Sequence, residues 1–171
     1  MAKKDNQPQT RYLTLVRHAK SSWEKGELSD HDRPLEKRGR KDRKIMAPVI
    51  EAECGKPQRI ISSSAARAQQ TIRGLIKLLD WDVEVETLPA LYTFDPHEVR
   101  EVIMQLKRLD ADVMMIGHNP AFEQTAQWLC GKEVERMATL AVVRIRLNQP
   151  WKELSKGSGE LVWQGWPKMY K

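Results

Sequence analysis

Three short apolar runs in this chain each lead to a basic side chain, and segments with helical periodicity separate them. This alternation of strand-like and helix-like segments is typical of an α/β fold with a mostly parallel sheet. Ligands of such sheets bind just beyond the carboxyl ends of the strands, where the basic residues would meet. The runs with their basic residues are residues 13–16 with Arg17 and His18, residues 60–61 with Arg67, and residues 113–116 with His118.

The pattern predicts a single three-layer α/β/α domain over residues 12–171, with a mostly parallel central sheet. Strands are predicted over residues 12–17, 59–62, 83–86, 113–116, 138–147 and 161–163, the third at a sheet edge. Helices are predicted over residues 37–53, 65–79, 96–109 and 120–130. Pro48 predicts a kink or a break in the first helix, and the serines at 62–64 are suited to capping the second. Residues 1–11 are polar and basic, and we expect a flexible N-terminal arm.

The charge of the chain suggests one function class that other features disfavour. A formal net charge of +6 over 171 residues is compatible with nucleic acid binding. Basic residues alternate with acidic ones, however, as in residues 36–44, which is typical of a solvated helix face. No aromatic stacking motif or nucleic-acid-binding signature accompanies the charge, so no nucleic acid partner is expected.

The sequence also bears on compartment. No stretch approaches the ~20 apolar residues needed to span a bilayer, and the polar start lacks the apolar core of a signal peptide. Cys54 and Cys130 have neither metal-ligand nor CxxC spacing. We therefore expect a cytoplasmic protein that does not associate with membranes and whose thiols are reduced.

Two imidazoles and two guanidinium groups at one sheet edge are the components of a phosphoryl-transfer site. A neutral imidazole can attack phosphorus because it carries a lone pair at neutral pH. Arginine stays charged and holds phosphate oxygens with two parallel N–H donors. Taken singly, each residue has a simpler explanation, such as a structural histidine or, for Arg67, a surface ion pair. The functional interpretation is favoured because Arg17, His18, Arg67 and His118 all follow strand ends.

Four segments resemble the motifs of the histidine phosphatase superfamily, the RHG-type, phosphoglycerate mutase-like proteins. Residues 17–23, with the letters RHAKSSW, are similar to the nucleophile motif and most resemble the SixA-type phosphohistidine phosphatases. The others are residues 32–39, 62–71 and 117–120. The resemblance extends from the first strand to the last.

The resemblance implies that His18 is transiently phosphorylated and that Arg17, Arg67 and His118 form the phosphate pocket. It implies chemistry without a metal or an organic cofactor, in which water hydrolyses the phosphohistidine. Ser21 matches a position that approaches the phosphate in relatives, although loop hydroxyls usually serve turns. Arg33 either lies at the pocket mouth or braces the loop.

The chain departs from the larger members of the superfamily, which place a carboxylate after the third strand to protonate an alkoxide leaving group. In residues 88–98, Asp95 is the only carboxylate in the loop part, and we assign it to the N-cap of the next helix. An alcohol leaves slowly without a proton donor, whereas the P–N bond of phosphohistidine is labile. The substrate expected is therefore phosphohistidine on a protein, such as a phosphotransfer domain. His97 and Tyr92 remain alternative proton donors.

Two other functions stay open at this point. The alternative enzyme is a phosphatase of small phosphomonoesters or other small phosphorylated metabolites. A non-catalytic phosphate-binding module would keep the pocket without turnover, but the presence of both His18 and His118 argues against it.

The remaining histidines and two of the tryptophans complete the set of candidate residues. His31 and His97 follow no apolar run, so we expect both to be exposed bystanders. Trp23 and Trp151 are candidates for the border of the pocket. No set of His, Cys and carboxylate residues has zinc spacing, so no metal is predicted.

Overall fold

A six-stranded mixed sheet organises the chain in a computed structural model that describes residues 10–24 and 26–171. The strands lie in the order β3-β2-β4-β1-β5-β6. The first four of these run parallel, and β5 and β6 are antiparallel to their neighbours. The strands are β1 (Arg11–Arg17), β2 (Arg59–Ser62), β3 (Val85–Thr87), β4 (Asp112–Gly117), β5 (Val142–Leu147) and β6 (Gly159–Gly165).

Four α-helices cover the two faces of this sheet. They are α1 (Lys37–Glu53), α2 (Ala66–Leu79), α3 (Pro96–Met104) and α4 (Ala121–Cys130). Helices α1 and α2 pack on one face, where Met46 and Ile72 meet alternate strand residues such as Met114. Helices α3 and α4 pack on the other face, where Phe122 meets the strand residues of opposite orientation, such as Met115. The three-layer α/β/α architecture predicted from the sequence is confirmed.

The register of the central strands aligns their carboxyl ends. Strands β1 and β4 are buried on both faces, as continuous apolar runs in parallel sheets require. Arg17 at the end of β1 pairs with Gly117 of β4, and Ser62 at the end of β2 pairs with Ile116. The loops that follow β1, β2 and β4 therefore leave the sheet at one edge.

Helix α1 has its predicted bounds, and the break predicted as one possibility at Pro48 does not occur. The helix is continuous from Lys37 to Glu53. Pro48 is on the exposed side, whereas its neighbours Met46, Ala47 and Ile50 are buried. The apolar contacts of the helix with the sheet thus outweigh the hydrogen bond that a proline cannot donate.

Helix α3 ends earlier than predicted, at Met104 rather than near residue 109. The carboxylate of Asp110 accepts the backbone N–H of Lys107 at 2.8 Å and Nη1 of Arg59 at 2.6 Å. These bonds hold residues 105–111 in turns that lead into β4. A local side-chain acceptor therefore replaces the helical continuation.

Several strand boundaries also differ from those expected. Strand β5 begins at Val142 rather than at residue 138, because Leu140 adopts a left-handed conformation with φ of 57° in the preceding turn. The edge strand β3 is shifted two residues later than predicted at its start, and β6 extends two residues further at each end than predicted. The predicted N-terminal arm lies outside the described residues up to position 9. Its last residue, Arg11, belongs to β1 and is buried.

No helix within the described part of the chain is long and apolar enough to span a bilayer.

Candidate active site

A polar pocket of about 280 Å³ opens at the edge where the carboxyl ends of β1, β2 and β4 meet. Its lining comes from the end of β1, the loop that follows, the first turn of α2, the loop before α3, the segment after β4 and the turn before β5. The six residues predicted to catalyse the reaction or bind the substrate all line this pocket, namely Arg17, His18, Ser21, Arg33, Arg67 and His118.

One backbone hydrogen bond orients the imidazole of His18. Its Nδ1 lies 2.7 Å from the carbonyl oxygen of Ala19. Because a carbonyl oxygen can only accept, Nδ1 carries the proton and Nε2 keeps its lone pair. The Nε–H of Arg67 points at that lone pair from 3.3 Å. The unprotonated Nε2 therefore faces the cationic side of the pocket, where it accepts a hydrogen bond from Arg67.

Burial keeps His18 in this neutral form. The residue is only 7% exposed. Burial, together with the charges of Arg67 and Arg17, lowers the pKa of His18 to about 3. Since desolvation disfavours the charged form, the lone pair is available throughout the physiological pH range.

Thr71 of α2 holds the backbone that orients His18. Its Oγ1 accepts the N–H of Ala19 at 2.9 Å and donates to the carbonyl of Arg67 at 2.7 Å. A single hydroxyl thus ties the nucleophile loop to the helix that carries Arg67. Sequence reasoning missed this residue because a threonine inside a helix carries no distinguishing pattern.

Arg67 is the most constrained cation of the pocket and is 2% exposed. Besides the contact with His18, Nη1 donates to the backbone carbonyl of Asp30 at 2.7 Å. Nη2 donates to the carboxylate of Asp30 at 3.0 Å. Three of its N–H groups are therefore fixed in direction by the loop after β1, which leaves further N–H donors for a phosphate oxygen.

The serines before α2 serve a different purpose from the predicted capping. The N-cap is Ala65, and no side chain caps this helix. Ser63 Oγ accepts the N–H of Ala65 at 3.2 Å and lies 2.8 Å from Nε2 of His118. Ser63 therefore links the turn before α2 to the second predicted histidine.

His118 faces His18 across the pocket, with 5.2 Å between the ring centroids. Burial, followed by the neighbouring His18 and Arg67, lowers the pKa of His118 to about 3. Ser63 Oγ can donate its proton to Nε2 of His118 while it accepts from Ala65. The ring proton is then on Nδ1, which is buried and has no partner among the described residues. In this tautomer His118 is a neutral donor suited to a phosphate oxygen.

Arg17 approaches the pocket from the end of β1. Its Nη1 donates to the carbonyl of Met137 at 3.0 Å, a carbonyl that also accepts from Asn119. Burial, followed by the charge of Arg136, lowers the pKa of Arg17. A bound anion would offset the free energy that desolvation of this guanidinium costs.

Ser21 and Arg33 contact each other, and both are buried. Nη1 of Arg33 donates to Ser21 Oγ at 2.9 Å and to the carbonyl of Ser22 at 3.3 Å. The ring of Trp23 lies 3.5 Å from the guanidinium carbon of Arg33 and is 72% exposed. Both of the alternatives for Arg33 therefore apply, because this side chain lines the pocket and also braces the loop.

Asp30 is the pocket residue that sequence reasoning missed. Its carboxylate accepts from Arg33 at 3.0 Å, from Arg67 at 3.0 Å and from the hydroxyl of Tyr92 at 2.5 Å. Burial acts against ionisation, but the Tyr92 hydrogen bond and the two cations lower the pKa of Asp30 to about 2. The available signal was electrostatic, because three arginines in one pocket, Arg17, Arg33 and Arg67, need a counter-charge close to them.

Other predicted positions give mixed results. His97 is exposed and Asp95 caps α3 by accepting the His97 N–H at 2.8 Å, as expected. His31 is no bystander, because it contacts Ser64 Oγ at 3.0 Å and packs edge-on against Tyr92. Trp151 lies at the opposite edge of the sheet, where it is buried and donates to the carbonyl of Asp110. Its predicted place at the pocket border is therefore wrong.

The assembled pocket can hold a dianion and present a nucleophile to it. Arg17, Arg33 and Arg67 supply fixed positive charge, and Asp30 offsets only part of that charge. Positive groups fixed before a ligand arrives stabilise developing negative charge without reorganisation. Within the described residues, no cluster of three or more His, Cys, Asp or Glu side chains has a metal-binding arrangement.

Comparisons with known proteins agree with this geometry. The family model of the histidine phosphatase superfamily (branch 1) matches residues 13–160. An uncharacterized chloroplastic protein of Arabidopsis thaliana is 30% identical over 164 residues, which cover 91% of this chain and 75% of that protein.

Solved structures share the fold. The protein histidine phosphatase SixA complexed with tungstate superposes with a TM-score of 0.79 and 24% identity, over 94% of this chain and 99% of that chain. A mycobacterial glucosyl-3-phosphoglycerate phosphatase complexed with VO3 has a TM-score of 0.66 and 15% identity, over 90% of this chain and 98% of that one. With the family model matching most of the sequence and the pocket lying at the matched motifs, this chain belongs to the histidine phosphatase superfamily, branch 1, and is a phosphatase.

Proposed function

We propose that this phosphatase removes phosphate from phosphohistidine on a protein, through a covalent intermediate on Nε2 of His18. The observation that carries the proposal is the orientation of this imidazole. Its Nδ1–H is held by the Ala19 carbonyl, and Nε2 points toward the cations of the pocket. Attack from a fixed neutral imidazole needs no general base, because the nucleophile has no proton to lose at Nε2.

The proposed reaction has two steps. The Nε2 lone pair of His18 forms a bond to phosphorus, and the P–N bond of the substrate breaks, leaving the substrate imidazole to take a proton from solvent. A water molecule then attacks the phosphorus on His18, the second P–N bond breaks, and inorganic phosphate leaves. In both steps Arg17, Arg67 and His118 would hold the non-bridging oxygens, with Arg33 and Ser21 closer to the pocket mouth.

The carboxylate inventory of the pocket supports phosphohistidine over an alcohol phosphate. Asp30 is the only carboxylate among the described residues that line the pocket. With its pKa lowered to about 2 by Tyr92 and the two arginines, Asp30 is ionised at neutral pH and has no proton to give. An alkoxide would have to leave unprotonated, whereas a phosphoramidate nitrogen is protonated readily from water.

The size and edge of the pocket support a protein as the carrier of the phosphate. The cavity is about 280 Å³, which is small for a metabolite with recognised groups beyond its phosphate. Trp23 at the rim is 72% exposed, and Phe94, another lining residue, is 51% exposed. These aromatic side chains are suited to contact a macromolecular surface around the phosphorylated residue.

The two free thiols support the reducing, cytoplasmic setting in which such a partner would be met.

The alternative substrate is a small phosphomonoester or another phosphorylated metabolite. Its support is the similarity in fold to the mycobacterial glucosyl-3-phosphoglycerate phosphatase. A turnover assay separates the two proposals by comparing a phosphohistidine-containing phosphotransfer domain with a panel of sugar phosphates. We expect kcat/KM for the phosphoprotein to exceed that for each sugar phosphate by at least about a hundredfold, about 2.7 kcal/mol in the barrier. Faster turnover of any sugar phosphate would overturn the choice of substrate but not the role of His18.

A further inference from the structure

The groove between α1 and α2 carries a concentration of positive charge that the proposed reaction does not use. It has a volume of about 780 Å³, and five cations line it with no carboxylate among the described lining residues. We call this feature the basic groove and define it by Arg40, Arg43, Lys44, Arg73 and Lys77. The sequence interpretation of residues 36–44 as an ordinary solvated face holds only in part, because the acidic residues of that segment lie outside the groove.

The cations of the basic groove form no ion pairs among the residues that the structure describes. The arginines are held by neutral acceptors, since Arg43 donates to the Gln70 carbonyl and Arg73 to the Gln69 side chain. Like charges kept this close repel one another, so the folded protein carries an unfavourable term that an acidic partner would relieve.

Arg43 is packed between the two helices that form the groove. Its guanidinium lies against Gly74 of α2, where an added Cβ would come within 2.0 Å of Nη1 and displace the side chain. The glycine therefore leaves room for a cation between the helices. Burial and the charge of Arg40 lower the pKa of Arg43, which agrees with an uncompensated site.

The basic groove begins beside the catalytic pocket. Arg40 donates to the carbonyl of Leu35, and Leu35 pairs with the pocket residue Ser21. Along α2, Arg73 and Lys77 follow Arg67 by about 9 and 15 Å, at 1.5 Å of rise per residue. A macromolecule that fills the pocket and extends past Leu35 would therefore reach the groove.

We propose that the basic groove binds acidic side chains of the protein that carries the phosphohistidine. This rests on the proposed function and adds to it that the substrate is recognised by acidic residues within about 10–20 Å of the phosphate. A protein surface is favoured over RNA because no aromatic side chain lines the groove among the described residues. Single-stranded nucleic acids are usually held by stacking on such side chains.

The test uses two matched substrates and two matched variants. The substrates are synthetic peptides with one phosphohistidine flanked either by glutamates or by glutamines. The groove variant is K44Q/R73Q/K77Q. The control variant, K132Q/K152Q/K156Q, loses the same charge from exposed positions outside the basic groove and the pocket.

For the unaltered protein at low salt, we expect kcat/KM to be about tenfold higher with the glutamate peptide than with the glutamine peptide. The groove variant should lose this preference while turning over the glutamine peptide at the same rate, and the control variant should keep it. About 0.5 M NaCl should remove the preference, because screening shortens the range of charge interactions.

Other outcomes separate this proposal from the proposed function. Equal turnover of the two peptides by the unaltered protein would overturn the docking role and leave phosphohistidine hydrolysis intact. If neither peptide is turned over, the proposed function fails, and fluorescence anisotropy of the unphosphorylated glutamate peptide still tests the groove. Tighter binding to the unaltered protein than to the groove variant would support docking, and equal binding would contradict it. Loss of single-stranded RNA binding in the groove variant, with unchanged peptide kinetics, would also overturn it.

Discussion

The imidazole of His18 takes its direction from one carbonyl and its charge state from burial. Ala19 fixes the proton on Nδ1, and the buried position holds the pKa near 3. Thr71 fixes Ala19, and Ser63 does the corresponding work for His118. The proposed chemistry therefore depends on neutral residues that hold the two histidines in place.

Removal of the Arg67 guanidinium tests the cation that contacts the nucleophile. We expect Arg67→Ala to lower kcat because the transition state loses about 2–4 kcal/mol of stabilisation, as it does when an oxyanion donor is removed from other enzymes. Steady-state kinetics on the phosphohistidine substrate measures this, and Arg146→Ala, an exposed arginine at the far end of β5, is the control. A loss of less than about tenfold, or 1.4 kcal/mol, would mean that Arg67 does not act on the phosphate.

Asp30 is expected to act by positioning Arg33 and Arg67. In Asp30→Asn the amide cannot accept from both guanidinium groups and Tyr92 at once, so the arginines lose their alignment. We expect kcat to fall by about tenfold or more, since small misplacements of positioning groups are costly. KM should change less than kcat.

Tyr92→Phe is the matched comparison for this variant. It removes only the hydroxyl that donates to Asp30 and leaves both arginine contacts in place. We expect an effect of only about two- to threefold in kcat, because the charged contacts that align both arginines remain. An Asp30→Asn enzyme that turns over faster than the unaltered protein would instead identify the carboxylate as a competitor of the substrate for Arg67.

The sequence predicts which residues lie in the pocket when they come at the end of a strand. It does not predict the residues that act through hydrogen bonds to distant parts of the chain. Arg17, His18, Arg67 and His118 could be predicted because each follows a strand end. Asp30, Thr71 and Ser63 act through tertiary hydrogen bonds across 37 to 55 residues of sequence. A loop or helix position does not encode such partners, so no spacing in the chain points to them.

Helices and strands were predictable where periodicity and burial agree. Strand β2 and helix α1 have the predicted bounds, because a short apolar run marks the first and a helical apolar period marks the second. The ends of α3 and β5 were not predictable. A carboxylate from outside the helix ends α3, and a left-handed Leu140 delays β5. Tertiary contacts set these two boundaries, so the helix and strand propensities of the local sequence do not predict them.

The proline inside helix α1 allows a test of how much this helix contributes to stability. Pro48 is exposed in the middle of a continuous helix, so the carbonyl four residues earlier lacks its backbone donor. We expect Pro48→Ala to raise the free energy of unfolding by about 1–2 kcal/mol, the helix gain less the entropy that proline removes from the unfolded chain. Urea denaturation measures it. Unchanged or lower stability would show that the helix has adapted its packing to the proline.

The whole molecule brings together loops from three parallel strands at one edge, and this convergence was predictable from the order of the elements alone. Parallel strands with right-handed crossovers leave few other arrangements of the runs that end at residues 17, 62 and 117. The groove between α1 and α2 was not predictable, because its charge pattern arises from two helices packed side by side. Fold and pocket thus follow from topology, whereas the surface around them follows from packing.

The two buried histidines should make the stability of the fold depend on pH. The pKa of each is about 3 in the folded protein, against about 6.5 when unfolded. Between these values the unfolded chain binds more protons, so stability is fully present above about pH 6.5 and is lost as the pH falls. We expect the free energy of unfolding to decrease by roughly 1 kcal/mol per pH unit for each histidine between about pH 6 and 4.

Urea denaturation of the unaltered protein and of a His18→Asn/His118→Asn double variant isolates this contribution. Carboxylates titrate in both proteins, so the difference between the two slopes reports the histidines. A double variant with the same pH slope as the unaltered protein would show that the imidazoles are protonated equally in the folded and unfolded states.

Capture of the covalent intermediate tests the central claim most directly. Rapid quenching during turnover of a phosphohistidine protein, followed by peptide mapping under alkaline conditions, locates any phosphate carried by the enzyme. The account predicts an acid-labile phosphate on the imidazole of His18, absent from His18→Ala, which should also lack turnover. Phosphate on any other residue, or continued turnover by His18→Ala, would contradict it.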